Sequence, residues 1–176
     1  MSGGAVLDGS QTGWGHEGDA EVVLVNTGEF ALAEHPRVLL TPALGSCVGV
    51  AVWDAARRRG ALAHVMLPTP QSTTVDGNPD RFASVALPRM VALLGEGTGL
   101  KRFVAKIAGG AAMFKGDTLM ASIGDRNVEE VKRQLGLLKI PVLAEDTGGS
   151  HARTMEFHLD TGLVIVRSYL YGIREL

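Results

Sequence analysis

The sequence has a single cysteine, no excess of charge of either sign, and no apolar run of membrane-spanning length. One cysteine cannot form an internal disulfide or supply a thiolate metal cluster. Its chemistry is therefore that of a small buried hydrophobe or of a free thiol. Seventeen Lys and Arg stand against nineteen Asp and Glu, a formal net charge of −2. That near balance leaves no positive field to gather phosphates or anionic lipid, so neither nucleic acid nor membrane insertion is expected. The N-terminus also lacks a basic segment followed by an apolar block, which predicts a cytoplasmic protein.

What is present is a chain of 176 residues with 45% hydrophobic content, enough for one substantial core. Residues 1 to 19 hold six glycines and no sustained period, and are read as a flexible tail. Residues 20 to 176 are read as one domain. Short β-type runs follow at 21–25, 29–33, 38–41 and 48–53, the last with valines alternating with small residues as in a strand covered on both faces. Another run, ALAHVML at 61–67, ends at Pro68.

A turn-rich loop at 68–80 leads to Asn78 and Pro79, the pattern of a helix start, and Pro88 is expected to interrupt the helix that follows. Asn127 with Glu130 resembles a capping box opening a helix over 128–138. TMEFHL and LVIVRS, joined through Gly162, read as a hairpin. Most gaps between strands are too short for crossover helices, which predicts an α/β fold with mostly antiparallel strands.

Cys47 lies in TPALGSCVGV, at the mouth of a strand and directly after Gly45 and Ser46. It either fills a hole in the core or acts as a nucleophile. Small residues ahead of the thiol leave backbone N–H groups uncovered, and Gly45 and Ser46 are candidates to receive an oxyanion or contact substrate. A free thiol is only a few per cent ionised at neutral pH and needs a base or a positive neighbour.

His64, carried inside a strand, is the candidate base, and beside it the thiol should carry more thiolate than a free one. Thr41 is placed to accept the other imidazole N–H and fix the tautomer. In a simple hairpin centred on Arg57, however, His64 would lie opposite Val50 and face away from Cys47. A bulge at Gly60 or Gly45, a shifted register, or strands that are not neighbours would each remove the conflict.

The glycines at 109 and 110 lack nucleotide-binding spacing and are read as allowing close backbone approach. His16, His35, His151 and His158 form no zinc pattern, so neither metal nor cofactor is expected. Arg57, Arg58 and Arg59 read as a solvated turn or, alternatively, a docking patch.

TPALGSCVGVAVWD (41–54), LAHVMLP (62–68), KIAGGAAMF (106–114), IGDRN (123–127) and DTGGSHARTMEFHLDTGLVIV (146–166) together resemble CheD, the bacterial chemoreceptor glutamine deamidases. The resemblance implies a three-layer α/β/β sandwich, with Cys47 as nucleophile, His64 as base and Thr41 as the residue orienting it. The implied activity converts glutamines on chemoreceptor cytoplasmic helices to glutamate, and a CheC-type phosphatase is the implied partner. A non-catalytic adaptor binding receptor and phosphatase is the alternative. Ala43 and Ala152 stand where the family usually has glycine.

Overall fold

A computed structural model describes residues 20–99, 102–113 and 123–176, so the expected tail at 1–19 and Phe114 lie outside it. Ten strands and two helices are seen among these residues: β1 Val22–Leu24, β2 Phe30–Glu34, β3 Val38–Leu44, β4 Val48–Asp54, β5 Arg59–Val65, α1 Ala83–Leu94, β6 Val104–Gly109, α2 Ile123–Leu137, β7 Val142–Thr147, β8 Arg153–His158, β9 Val164–Ser168 and β10 Gly172–Glu175. The strands form two five-stranded sheets, β1-β3-β8-β9-β10 and β2-β5-β4-β6-β7. Neither helix is long and apolar enough to cross a membrane.

Both sheets are mixed. β1 pairs parallel with β3 because β2, between them in sequence, joins the other sheet, and β6 pairs parallel with β7. In the second case α2, which lies between the two strands in sequence, supplies the crossover. Every other pair is antiparallel.

The side-chain period of two divides the central strands between two cores. Val48, Val50 and Val52 of β4 and Ala61, Ala63 and Val65 of β5 pack with α1 and α2. The alternate residues Ala51 and Leu62 pack with Leu39, Met155, Phe157 and Val164 of the other sheet. This two-sided burial is what the run at 48–53 predicts, and it sets the face on which each β4 and β5 side chain lies.

Helix α1 buries Ala83, Ala86, Leu87, Met90, Val91 and Leu94 at helical spacing and continues through Pro88. Asn78 does cap a turn with proline at its first position, but that turn is a short 3-10 segment, Pro79–Arg81, and the α-helix starts after it. Arg57 is not solvated as expected. Its guanidinium binds Asp54 at 2.6 Å and the Leu94 carbonyl at 2.7 Å, so a cation meets the open carbonyls at the end of α1.

Helix α2 departs furthest from expectation. It already runs from Ile123, so Asn127 is no cap but a fully buried residue inside the helix. The 109–110 glycines behave as anticipated. Gly109 (φ 110°) lies so close to the Cys47 carbonyl that any side chain would collide with it.

Candidate active site

The 48–54 and 59–65 strands are neighbours, and their register resolves the conflict over His64. Asp54 pairs with Arg59 across a four-residue turn in which Arg58 takes a positive φ of 45°. The hairpin is thereby centred between Ala56 and Arg57, and His64 lies opposite Gly49 instead of Val50. Because successive side chains alternate, that one-residue shift puts His64 on the face shared by Cys47 and Gly49. Cys47, one residue before the ladder begins at Val48 and Val65, packs against the inter-sheet cluster on that face.

Gly49 is what lets the second sheet reach this point. A side chain there would press on Met155 Sδ at 2.7 Å and Leu44 Cδ1 at 3.0 Å, and would approach Thr41 Cγ2 at 3.5 Å. With glycine in place, Thr41 crosses from β3 and its hydroxyl lies 2.7 Å from His64 Nδ1. Thr41 is itself held by a bulge in β3, where the register against β8 shifts between Thr41 and Leu44 and both residues stay buried. Ala43, in the bulge, takes a φ of 58°, the conformation that favours glycine.

The Thr41 hydroxyl also lies 2.7 Å from the Val25 carbonyl oxygen, which can only accept. The single hydroxyl proton therefore goes to Val25, and Thr41 can only accept from the imidazole. Nδ1 of His64 thus carries the ring proton, and Nε2 carries the lone pair. Nε2 is buried and has no hydrogen-bond partner among the described residues. Val25 is the participant that sequence reasoning missed: its contribution is a backbone carbonyl, which no side-chain pattern announces.

The loop before the nucleophile is fixed through its carbonyls. Gly45 O accepts from Ala111 N at 2.8 Å, Ser46 O from Asn127 Nδ2 at 2.9 Å, and Cys47 O from Gly110 N at 2.8 Å. The Gly45 N–H is committed to Ala43 O at 3.1 Å, which removes it as an oxyanion donor. The N–H groups of Ser46 and Cys47 have no backbone acceptor among the described residues. Met113, half-exposed, packs against Gly45.

Behind this loop, Gly148 N binds Gly109 O and Ala112 N binds Gly149 O, both at 2.9 Å. Buried Arg153 ties the same turn together through Asp146 at 3.1 Å and the Gly148 carbonyl at 2.8 Å. Alanine at 152 is therefore compatible with an ordered turn.

Burial sets the charge state of the pair. It raises the Cys47 thiol above its ordinary range, an effect the residue's own backbone N–H partly offsets. It lowers His64 to about 4. At neutral pH both groups are uncharged, contrary to the expectation of extra thiolate, so the pair suits proton transfer during attack better than a standing ion pair.

The His64 shift also links stability to pH. The unfolded chain binds a proton at this histidine near 6.5 and the folded chain only near 4, so stability rises with pH across that window. On the order of 3 kcal/mol is expected to be lost between pH 7 and pH 4. Urea melts across this range should show a flatter profile for His64→Asn than for the parent, and parallel profiles would contradict it. Among the described residues no group of three His, Cys, Asp or Glu is arranged to hold a metal ion.

Residues 66–168 match the family model described as CheD chemotactic sensory transduction. A relative from Thermotoga maritima, named chemoreceptor glutamine deamidase CheD, is 43% identical over 145 residues, covering 82% of this chain and 90% of the relative. One from Moorella thermoacetica, named a probable enzyme of that kind, is 45% identical over 150 residues (83% and 90%), and one from Clostridium novyi is 38% identical over 157 residues (88% and 97%). With match and relatives spanning this much of the sequence, the chain belongs to the CheD family.

Proposed function

We propose that this protein deamidates specific glutamine side chains on chemoreceptor cytoplasmic domains, using Cys47 as nucleophile, His64 as base and Thr41 to orient His64. The observation that carries the reading is the commitment of the Thr41 proton to Val25, which leaves His64 Nε2 basic, buried and without a partner among the described residues, on the face that bears Cys47. A neutral imidazole in that tautomer suits acyl transfer from an amide.

His64 Nε2 takes the Cys47 proton as Sγ attacks the glutamine side-chain carbonyl carbon. The carbonyl oxygen becomes an oxyanion that the Ser46 and Cys47 N–H groups receive. The C–N bond breaks as His64 returns the proton to nitrogen, and ammonia leaves a thioester on Cys47. His64 then takes a proton from water, hydroxide adds to the thioester, the C–S bond breaks, and glutamate is released with the thiol reprotonated. Glutamine plus water becomes glutamate plus ammonia, with no cofactor required. Met113 beside Gly45 offers a flexible apolar wall for the methylenes of the glutamine.

The finer structural reading belongs here as well. We take residues 20–176 as one deamidase-like domain built as a three-layer α/β/β sandwich. One buried cluster between the helices and the β2-β5-β4-β6-β7 sheet, and a second between the two sheets, support it. We take the protein to be cytoplasmic, as action on receptor cytoplasmic domains requires, with a CheC-type phosphatase as the partner that the resemblance implies.

The direct experiment is mass mapping of a receptor cytoplasmic fragment after incubation with the protein. Conversion of particular glutamines to glutamate is expected, and a fragment left unchanged under varied pH and methylation state would refute the activity. Within that assay, Thr41→Val deletes the hydroxyl and preserves the shape. Loss of the tautomer constraint should lower kcat about tenfold to a hundredfold with KM little changed. The Val25 carbonyl, left without its donor, should cost about 1–3 kcal/mol in a urea melt. Parent kcat in Thr41→Val would remove Thr41 from the mechanism.

A further inference from the structure

Asn127 is a fully buried polar side chain at this site that the mechanism above does not use. Its Nδ2 lies 2.9 Å from the Ser46 carbonyl oxygen and 2.8 Å from the Met66 carbonyl oxygen. Two acceptors around one atom require that atom to be the amide nitrogen, since an oxygen there would face both carbonyls with no proton to share. Asn127 is fully buried, and its Oδ1 has no partner among the described residues. The amide thus leaves its own acceptor unsatisfied while supplying a donor to each of two strand carbonyls.

The position of the amide is fixed by backbone contact. Gly124, one turn earlier on α2, has no room for a side chain: a Cβ would lie 2.6 Å from both the Gly110 and the Ala111 carbonyl oxygens. Val128 packs against Gly110 on the same surface. Helix α2 therefore rests directly on the 109–111 segment whose N–H groups hold Gly45 O and Cys47 O. Asn127, between Gly124 and Val128, is delivered to a set height beneath the nucleophile loop.

The β4–β5 ladder has its last pair at Val48 and Val65. Beyond it the chain bearing Cys47 and the chain leaving His64 separate, and the Asn127 amide bridges Ser46 to Met66 in place of the next rung. The Ser46 C=O points toward α2, on the helix side of the sheet. In a trans peptide the N–H of the next residue points the opposite way. Holding Ser46 O thus fixes the plane of the Ser46–Cys47 peptide, and with it the direction of a Cys47 N–H that has no backbone acceptor among the described residues.

We infer that Asn127 is a positioning residue: by gripping the Ser46 and Met66 carbonyls it orients the Ser46–Cys47 peptide so that the Cys47 N–H can receive the oxyanion. The inference rests on the deamidase reading. It assigns Asn127 no contact with substrate and no share in ionising the thiol.

These two exclusions make the role separable from simple structural support. Alkylation of Cys47 by iodoacetamide is displacement at a saturated carbon and forms no oxyanion, so it reports thiol ionisation and access alone. Asn127→Leu keeps the approximate volume and removes both donors, and Val131→Ala, one turn further along α2, weakens the same helix at a buried position away from the loop.

At a temperature below both melts, Asn127→Leu is expected to lower kcat for receptor-fragment deamidation by about a hundredfold or more. KM and the Cys47 alkylation rate should stay within about threefold of the parent. Val131→Ala should keep parent kcat. Should Asn127→Leu not fold, Asn127→Ala carries the same expectations.

The inference is overturned by near-parent kcat in the Asn127 variant, by equal losses in kcat and alkylation, or by an equal kcat loss in Val131→Ala. A parent that makes no glutamate overturns the deamidase reading and this inference together. A parent that makes glutamate through Cys47 while the Asn127 variant matches it overturns this inference alone.

Discussion

Cys47→Ala should make no detectable glutamate from receptor glutamine, yet fold and bind receptor like the parent. The change removes one sulfur from a half-buried position at the rim of the inter-sheet core. No large cavity opens, and the expected stability cost is about 1 kcal/mol or less. Without the sulfur no thioester can form, and His64 does not replace it, because it is buried and hydrogen-bonded through its other nitrogen. Receptor capture in a pull-down should survive, since it needs shape and hydrogen bonds rather than a nucleophile. A thermal melt matching the parent, retained capture and absent conversion form the expected set. Undiminished conversion would end the nucleophile assignment.

His64→Ala should be the next most damaging change, with kcat/KM down by about 10²–10⁴ at neutral pH. Its pH dependence is the more telling readout. In the parent the base is deprotonated above its lowered pKa of about 4, so the rate should climb through that region and level off across the neutral range. In the variant only hydroxide ionises the thiol, and burial holds the thiol above its ordinary range. Its residual rate should therefore keep rising with pH well past neutrality. A variant whose profile is as flat as the parent's across neutral pH would show that His64 is not the base.

Much of the central sheet was legible because its strands bury both faces, and runs such as VGVAVW have few alternatives. Strand β10 was not, because all four of its residues are exposed and no buried face imposes a pattern. Helix α2 was misread at its start since Asn and Glu three apart imitate a cap. Asn127 in fact spends its side chain on two strand carbonyls, a tertiary use that local pattern cannot reveal.

The candidate site was legible in residue type but not in geometry. Glycine and serine before a cysteine, a strand histidine and a threonine can be read from the chain. Whether His64 faces Cys47 depends on a turn in which Arg58 adopts a positive φ and Arg57 is pinned to the end of α1. Both features are set by tertiary contacts. A one-residue difference in that turn would reverse the face of His64, so the deciding element was the least regular part of the hairpin.

The most direct test of a thioester on Cys47 is interception. Hydroxylamine added to a deamidation reaction competes with water for an acyl-enzyme, and peptide mass mapping of the receptor fragment then reads the product. Glutamyl hydroxamate is expected at the same residues that otherwise become glutamate, rising with hydroxylamine concentration and absent with Cys47→Ala. Glutamate formed at undiminished rate, with no hydroxamate at any concentration of the nucleophile, would contradict a covalent intermediate on Cys47.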